Sequence, residues 1–369
     1  MLVRIFDIGE FGSLSARWDC LSRGVPFRSW TWHDAWWKAF GANRQAVIAG
    51  VLDDAGELVG LAPFYRETSA ALGASLHLWG GLDAPGHYRS ILSTIEHEGA
   101  TADALSAWLV SCADSSQYGW NLLAFDGIAA SDRAVAKLAA RLSDEHCNVL
   151  RQTSQPYWRI ELPSSVEDYL AALDKPHREV IEAVETKYLQ TKRAKVRAVT
   201  NDEEFEHAWR CLVDFGQTPR EYGKTLPVFA GEQAVYFLRD LSRRWMTEGR
   251  LAMMWLEIDG RTVAVEHRPC SAGVTFAYGS VVDPLMDDPE LESILPWVLV
   301  KQAIEQGRFA VDLLHAHTIE ASRWNAVPRP NVSLRISAPK LSARLRQGVW
   351  LAGETMKNLF KTSFTLSGM

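Results

Sequence analysis

The sequence predicts an α/β protein with mixed sheets, built as two similar halves. Three observations carry that expectation. At 369 residues the chain is longer than the ~250–300 residues at which single cores stop growing. Two β-rich hairpin signals recur, Val51–Pro63 around Asp53-Asp54-Ala55-Gly56 and Leu256–Pro269 around Asp259-Gly260. Each follows helical patterns and precedes a further strand and helix, as an internal duplication would arrange them.

In the first half, Leu2–Asp7 alternates as an edge strand, and residues 13–23 carry Leu14, Trp18 and Leu21 on one helical side. The helix His33–Phe40 ends at Gly41, and Trp32, Trp36 and Phe40 recur every four positions as a packed face. After the first hairpin come strands at Leu76–Trp79 and Ser90–Ser93. The loop between them, Gly80 to Gly86, reads as a connection or, through free amides, a phosphate cradle. Thr101–Ala113 is a helix, Trp120–Phe125 a strand and Ser131–Glu145 a helix.

The second half starts with the strand Gln155–Leu162 and a capping box at Ser164–Glu167. A charged helix spans His177–Arg193, Lys195–Val199 is a strand, and Asn201 caps a helix with an acidic first turn. Gly216–Gly231 is a loop, and Ala234–Glu248 is a helix stopped by Gly249. Strands Leu251–Ile258, Thr262–Glu266 and Val274–Val282 follow. An acidic loop (Asp287, Asp288, Glu290, Glu292) then opens the helix Ile294–Glu305, and Phe309–Leu314 returns as a strand. The expected boundaries are 1–155, 156–338 and a tail, 339–369.

Composition excludes several classes. Hydrophobic residues at 47% and charged residues at 23% describe a soluble globular chain. A net charge of -6 argues against general nucleic-acid binding. Fifteen Trp point to aromatic cores or an aromatic-lined cleft. The five Cys are scattered, which fits a reducing compartment, and none has metal-ligand spacing, so no metal is expected. Met1–Glu10 has no signal-peptide core, and no stretch approaches the ~18 apolar residues of a membrane span. A cytoplasmic protein is expected.

Residues 30 to 335 resemble the CelD-like acetyltransferases of bacterial cellulose and exopolysaccharide biosynthesis. That branch of the GNAT superfamily is related to the FemAB-type aminoacyltransferases. The resemblance rests on Trp32–Gly41, Glu57–Tyr65, the basic helix after Lys175, Arg220–Phe229, the Gly249–Val265 hairpin, Asp283-Pro284, Gly307, Asp312 and Ser322–Ala326. It implies tandem duplicated GNAT-like acyltransferase domains and acyl-CoA as co-substrate. It also implies an acyl- or aminoacyl-transferase of polysaccharide or envelope biosynthesis with a small-molecule or saccharide acceptor. Departures point to a degenerate binding or scaffold subunit, or to a non-CoA donor. The family's Gly-containing turn reads Pro289-Glu290-Leu291-Glu292-Ser293 here, and its Tyr-Lys pair falls at Glu320-Ala321.

Acyl transfer needs a base, donors for the carbonyl oxygen and an acid for the leaving group. Glu266 and His267 end a strand where a base could sit, or are solvent-facing strand-end residues; Tyr278 is a candidate acid. Amides at Ile294 and Leu295, with Arg323 and Trp324, are the candidate donor-binding groups. Pro296 removes a donor from the opening turn, and the acidic residues there either oppose a pyrophosphate or cap the helix. Asp312, His315 and His317 are candidate substrate-binding residues, the two His sharing a face by their spacing of two. In the tail, Leu341, Leu345 and Val349 alternate with Arg344 and Arg346. That pattern suits an anionic membrane surface such as the inner membrane, a protein partner, or packing onto its own domain.

Overall fold

The computed structural model describes residues 1–81, 86–217, 231–286, 290–316 and 318–348. The first half runs β1 (Leu2–Phe6), α1 (Ser15–Ser22), α2 (Trp30–Phe40), β2 (Gln45–Leu52), β3 (Leu58–Ser69), β4 (Gly73–Leu78), β5 (Leu92–Ser93), α3 (Glu98–Ser111), β6 (Leu122–Ala129), α4 (Arg133–Asp144) and β7 (Asn148–Glu161). Two short helices, α5 (Val166–Ala172) and α6 (Lys175–Val184), bridge the halves. The second half repeats the plan: β8 (Ala194–Ala198), α7 (Asp202–Gln217), α8 (Glu232–Thr247), β9 (Leu251–Ile258), β10 (Arg261–Pro269), β11 (Val274–Phe276), β12 (Gly279–Val282), α9 (Leu291–Glu305), β13 (Ala310–Leu314), α10 (Thr318–Arg323) and β14 (Val327–Ser337). Element for element this is a tandem duplication, as the two hairpins predict.

Local chemistry starts the helices where polar caps stand. Ser29 Oγ accepts the Trp32 amide at 3.2 Å, Asp132 the Val135 amide at 3.1 Å, and Asn201 the Glu204 amide at 3.0 Å. The expected capping box at Ser164 is displaced by one residue. Ser165 caps α5 through the Asp168 amide at 3.0 Å, because only Ser165 stands immediately before the first turn. The expected helix His177–Arg193 begins earlier, at Lys175, and passes after Val184 into one wider turn at Glu185–Leu189.

The halves exchange their last strands. Among the described residues the larger sheet has the order β1-β2-β3-β4-β6-β14-β7-β13-β11, with β5 on β3; a second sheet runs β12-β10-β9-β8. β14, from the end of the chain, therefore lies against β6 of the first half, and β7 of the first half lies against β13 of the second. β7 and β14 pair with each other from Arg159↔Val327 to Asn148↔Ser337. The boundary expected at 155/156 falls inside β7.

The single strand expected at Val274–Val282 is two. β11 runs parallel to β13, and after Ala277-Tyr278 the chain leaves that sheet and pairs as β12 with β10. In the first half the counterpart step keeps to one sheet: β4 pairs with β6 and with one end of β3, and β5 pairs with β3 farther along it. There the Gly80–Ile91 segment intervenes, so the strand expected from Ser90 keeps only Leu92–Ser93.

Most of the Trp-rich content packs between the halves. α2 lies against α8, with Trp32 stacked on Trp245 at 5.8 Å, and Trp18, Trp36, Trp79 and Phe237 are fully or almost fully buried around them. Trp32, Trp36 and Phe40 do share the buried face expected of them. After β14 the start of the tail holds onto the first half by its polar side. Arg344 donates to the His146 carbonyl at 2.6 Å and Arg346 to that of Ala70 at 2.8 Å, while Leu341 and Leu345 face solvent. Residues 349–369, including Val349, lie outside the described residues.

Because β14 completes a sheet begun by the other half, the halves should unfold together. Ile336→Ala, near the C-terminal end of β14 and fully buried, should cost about 2–5 kcal/mol. Urea unfolding followed by Trp fluorescence and far-UV dichroism should show one transition. Two separated transitions would contradict coupling through the exchanged strands.

Candidate active site

The divergence of β12 from β13 opens a cleft in the second half. Its volume is about 660 Å³, and its walls include Tyr278, Gly279, Ser280, Glu266, Glu292, Pro296, Leu314, His315, Glu320 and Trp324. The start of α9 forms one side and the ends of β13 and α10 the other. One wall comes from the first half: His87, next in sequence to Gly86, reaches across toward His315 and Tyr278, with ring centroids 5.2 and 5.9 Å away.

Strand alternation separates Glu266 from His267. Glu266 faces the cleft, and His267 faces the aromatic core. Neither is a solvent-facing strand end, because β10 continues to Pro269 and both are buried. The Glu266 carboxylate pairs with Arg268, itself buried, which donates to the Leu295 carbonyl of α9 at 2.9 Å. This pair ties β10 to α9 and leaves Glu266 already engaged.

His267 Nε2 lies 2.7 Å from Ser242 Oγ, and burial pushes the imidazole down to about 3. Its Nδ1 has no partner among the described residues. The Tyr278 hydroxyl, the His87 Nδ1 and the indole N–H groups of Trp32 and Trp245 share that condition. These rings form one connected cluster, with His267 and Tyr278 centroids 5.6 Å apart. Burial raises Tyr278, so it stays protonated; burial, then His315 and Arg89, hold His87 well below the usual imidazole range. The inner end of the cleft therefore presents a neutral imidazole and a protonated phenol with spare hydrogen-bonding capacity.

The other expected site residues are distributed unevenly. Trp324 and His315 line the cleft; Arg323 points to solvent and is not among the lining residues. Asp312 sits below the wall, with its carboxylate oxygens engaged by Tyr88, by Arg159 at 3.2 Å and by the Leu314 amide at 2.9 Å. Burial raises its pKa, and its observed partners make it a strut between the halves. His317 lies outside the described residues, so the pairing expected with His315 does too.

The amides of Ile294 and Leu295 are not the free ones. With Glu290 at the N-cap, only amides up to Ser293 precede the helical ladder, and Ser293 already donates to the Glu290 carbonyl at 3.0 Å. Leu291 and Glu292 carry the amides left at this end. Pro296 falls in the second turn, not the opening one. Glu290 makes no side-chain cap; its carboxylate meets Lys187 at 2.8 Å. Glu292 is exposed to the cleft, and no Lys or Arg is among the lining residues. Asp287 and Asp288 lie outside the described residues. Among the described residues no group of three or more His, Cys, Asp or Glu could hold a metal.

His87 had no sequence signal, because its contribution depends on a loop crossing to the other half. The Gly-rich run before it was the available hint. The loop does more than connect: Tyr88 donates to Asp312, and Gly80 packs so closely on the Trp32 indole that a Cβ there would lie 2.6 Å from its nitrogen.

Neutral buried imidazoles give this fold a pH dependence of known sign. His33 and His77, pushed down to about 4, and His267, to about 3, bind protons more weakly folded than unfolded. Their contribution is complete above the unfolded value of about 6.5 and is lost as pH falls through about 6.5 toward 4. The melting temperature should therefore fall across that window, and His267→Gln should flatten the slope. An unchanged slope in the variant would contradict a neutral buried His267.

Comparison with known proteins agrees with this architecture. Residues 175–322 match the acetyltransferase (GNAT) domain family. The crystal structure of FemX superposes with a TM-score of 0.63 at 9% identity, over 94% of this chain and 99% of that one. The structure of L-PGS from Bacillus licheniformis gives 0.53 at 12% identity, over 95% and 97%. The C-terminal domain of a proposed lysylphosphatidylglycerol synthetase from Agrobacterium fabrum gives 0.54 at 9%, over 94% and 96%. At these identities the likeness concerns the fold. No curated protein sequence matches the chain. The chain has a tandem GNAT-like fold, and residues 175–322 in its second half match the acetyltransferase (GNAT) domain family.

Proposed function

We propose that the protein is an acyl- or aminoacyl-transferase working in the second-half cleft, with a small-molecule or saccharide acceptor of polysaccharide or envelope biosynthesis. The observation that carries this reading is the split between β11 and β12. It opens a cleft of about 660 Å³ against the start of α9 and places Tyr278 and His87 at its inner end. The fold shared with a proposed lysylphosphatidylglycerol synthetase supports an envelope setting, and the CelD-like motifs support a polysaccharide one. No described helix is long and apolar enough to cross a membrane. The reading places the enzyme in the cytoplasm, with the tail as a contact to the inner membrane or a partner.

In this reading an acceptor amine or hydroxyl attacks the donor's carbonyl carbon. His87 Nδ1 takes the proton from the attacking atom, and the C–S or C–O bond to the leaving group breaks with its electron pair. Tyr278 supplies the proton to that departing sulfur or oxygen. Glu266, fixed by Arg268, shapes the wall rather than carrying the proton.

Acyl-CoA is the donor the GNAT fold commonly uses. The cleft itself favours a second reading of the donor. Glu292 is exposed to it at the start of α9, no Lys or Arg lines it, and a carboxylate at a helix start opposes a pyrophosphate. An aminoacyl donor, whose α-ammonium is cationic, suits that lining better.

Calorimetry with acetyl-CoA, and transfer assays with acyl-CoA and aminoacyl-tRNA donors, test both readings; absence of binding and transfer with every donor would overturn the function. Tyr278→Phe should lower kcat by about 10²-fold and His87→Gln by about 10²–10³-fold. In the wild type kcat should be flat above about pH 6.5 and fall only at lower pH, where His87 becomes protonated. The Gln variant should lose that acid limb. An unchanged profile would remove His87 from the chemistry.

A further inference from the structure

The duplication places a counterpart of the acyl-transfer cleft in the first half. β5 pairs with β3 at Gly60↔Ser93, four residues beyond the turn glycine Gly56. β12 pairs with β10 at Ala264↔Val282, four residues beyond Gly260. Ser93 therefore corresponds to Val282, Ile91 to Ser280 and Ser90 to Gly279, and all six line the cleft of their own half. Glu98 opens α3 as Glu292 does α9, and the ends of β6 and β13 close the far sides. The first-half cavity has a volume of about 230 Å³.

The two clefts carry opposite charge. The first-half cavity is lined by Arg23, Arg28 and Arg133 against Glu98 and Asp132, so cations outnumber carboxylates by one. Lys137, 3.4 Å from Glu98, raises the excess to two. Glu98 is buried among Arg23 at 2.9 Å, Arg133 at 3.2 Å and Lys137, and one carboxylate cannot balance three cations. Arg28 is fixed by Asp132 at 2.8 Å and by the Tyr88 carbonyl, and Arg23 by the Ser93 carbonyl at 3.1 Å. In each of these two guanidiniums Nε and Nη2 are bonded, and Nη1 makes no protein hydrogen bond among the described residues. Independently, Ser93 on the cavity wall is 2% exposed, and its hydroxyl has no partner among the described residues. A buried hydroxyl left bare costs free energy that a ligand would recover.

We propose that this first-half cleft is an anion site that takes a phosphate or diphosphate group, separate from the acyl-transfer cleft. Planar guanidiniums held from behind offer paired N–H donors suited to phosphate oxygens. The Ser93 hydroxyl adds one donor, and the α3 amides, whose N-cap His97 supplies no side-chain cap, add more. The volume is below the ~300 Å³ floor of pockets for drug-sized ligands, so the site holds the phosphate end of a ligand and leaves the remainder outside. Tyr88 lines this cavity and its neighbour His87 lines the other, so the two sites lie on either side of one loop.

Titration calorimetry on the full chain in low-chloride buffer, with inorganic pyrophosphate and then CoA, tests the assignment without any acyl transfer. Its outcome is therefore independent of the proposed activity. Pyrophosphate should bind one to one, about tenfold more weakly in Arg133→Gln and in Ser93→Ala, with circular dichroism confirming that both fold. Arg133 is mostly exposed, so its replacement should not disturb the core. CoA binding that is weakened by Arg133→Gln would support the site and name a nucleotide diphosphate as the source. Absence of pyrophosphate binding, or wild-type affinity in both variants, would overturn the proposal.

Discussion

The exchange of β7 and β14 is the constraint on which the rest of the molecule depends. A strand left at the edge of a sheet presents unpaired N–H and C=O groups, and a strand between two partners satisfies both sides. Here each half supplies the strand that finishes the other, and the two exchanged strands pair along nearly their whole length. Buried Asn331 in β14 adds a side-chain donor to the Gln155 carbonyl of β7 at 3.1 Å. The duplication is thus not two domains on a linker. Its halves share one sheet, and their relative position is set by backbone hydrogen bonds.

That fixed position gives the other cross-half contacts their geometry. The Trp32–Trp245 stack brings α2 and α8 together, and Arg244 reaches Asp34 and Thr31 across the same seam. The loop after β4 then has a fixed target. Tyr88 finds Asp312 and Arg159, each from a strand of the exchanged region, and His87 is carried to the second-half cleft. A buried carboxylate is tolerated when its oxygens are occupied, and Asp312 meets that condition through three partners.

One architectural step, the change of sheet between β11 and β12, produces the cleft, and its counterpart produces the first-half cavity. Residue chemistry then makes the two different. The second cleft has carboxylates and neutral rings; the first has arginines held by Glu98, Asp132 and backbone carbonyls. Duplicated backbones with divergent linings thus leave one chain with two clefts of different chemistry.

The sequence by itself determined the local elements and the repeat. The hairpin turns at Asp53–Gly56 and Asp259-Gly260, the cap at Asn201 and the Trp32/Trp36/Phe40 stripe act over a few residues, and local chemistry suffices to read them. It also named Glu266, Tyr278, His315 and Trp324, which do line the cleft. It misplaced what depends on partners far along the chain. Glu266 and His267 look like a strand end, yet β10 extends to Pro269 because β9 pairs with it throughout. Asp312 reads as a ligand group until Tyr88, over two hundred residues earlier, occupies it. Ile294 and Leu295 looked free until the start of α9 was fixed at Leu291. Strand exchange, the position of His87 and the different linings of the two clefts were decided only by tertiary structure. Hydrogen bonding between distant strands leaves no periodic trace in sequence.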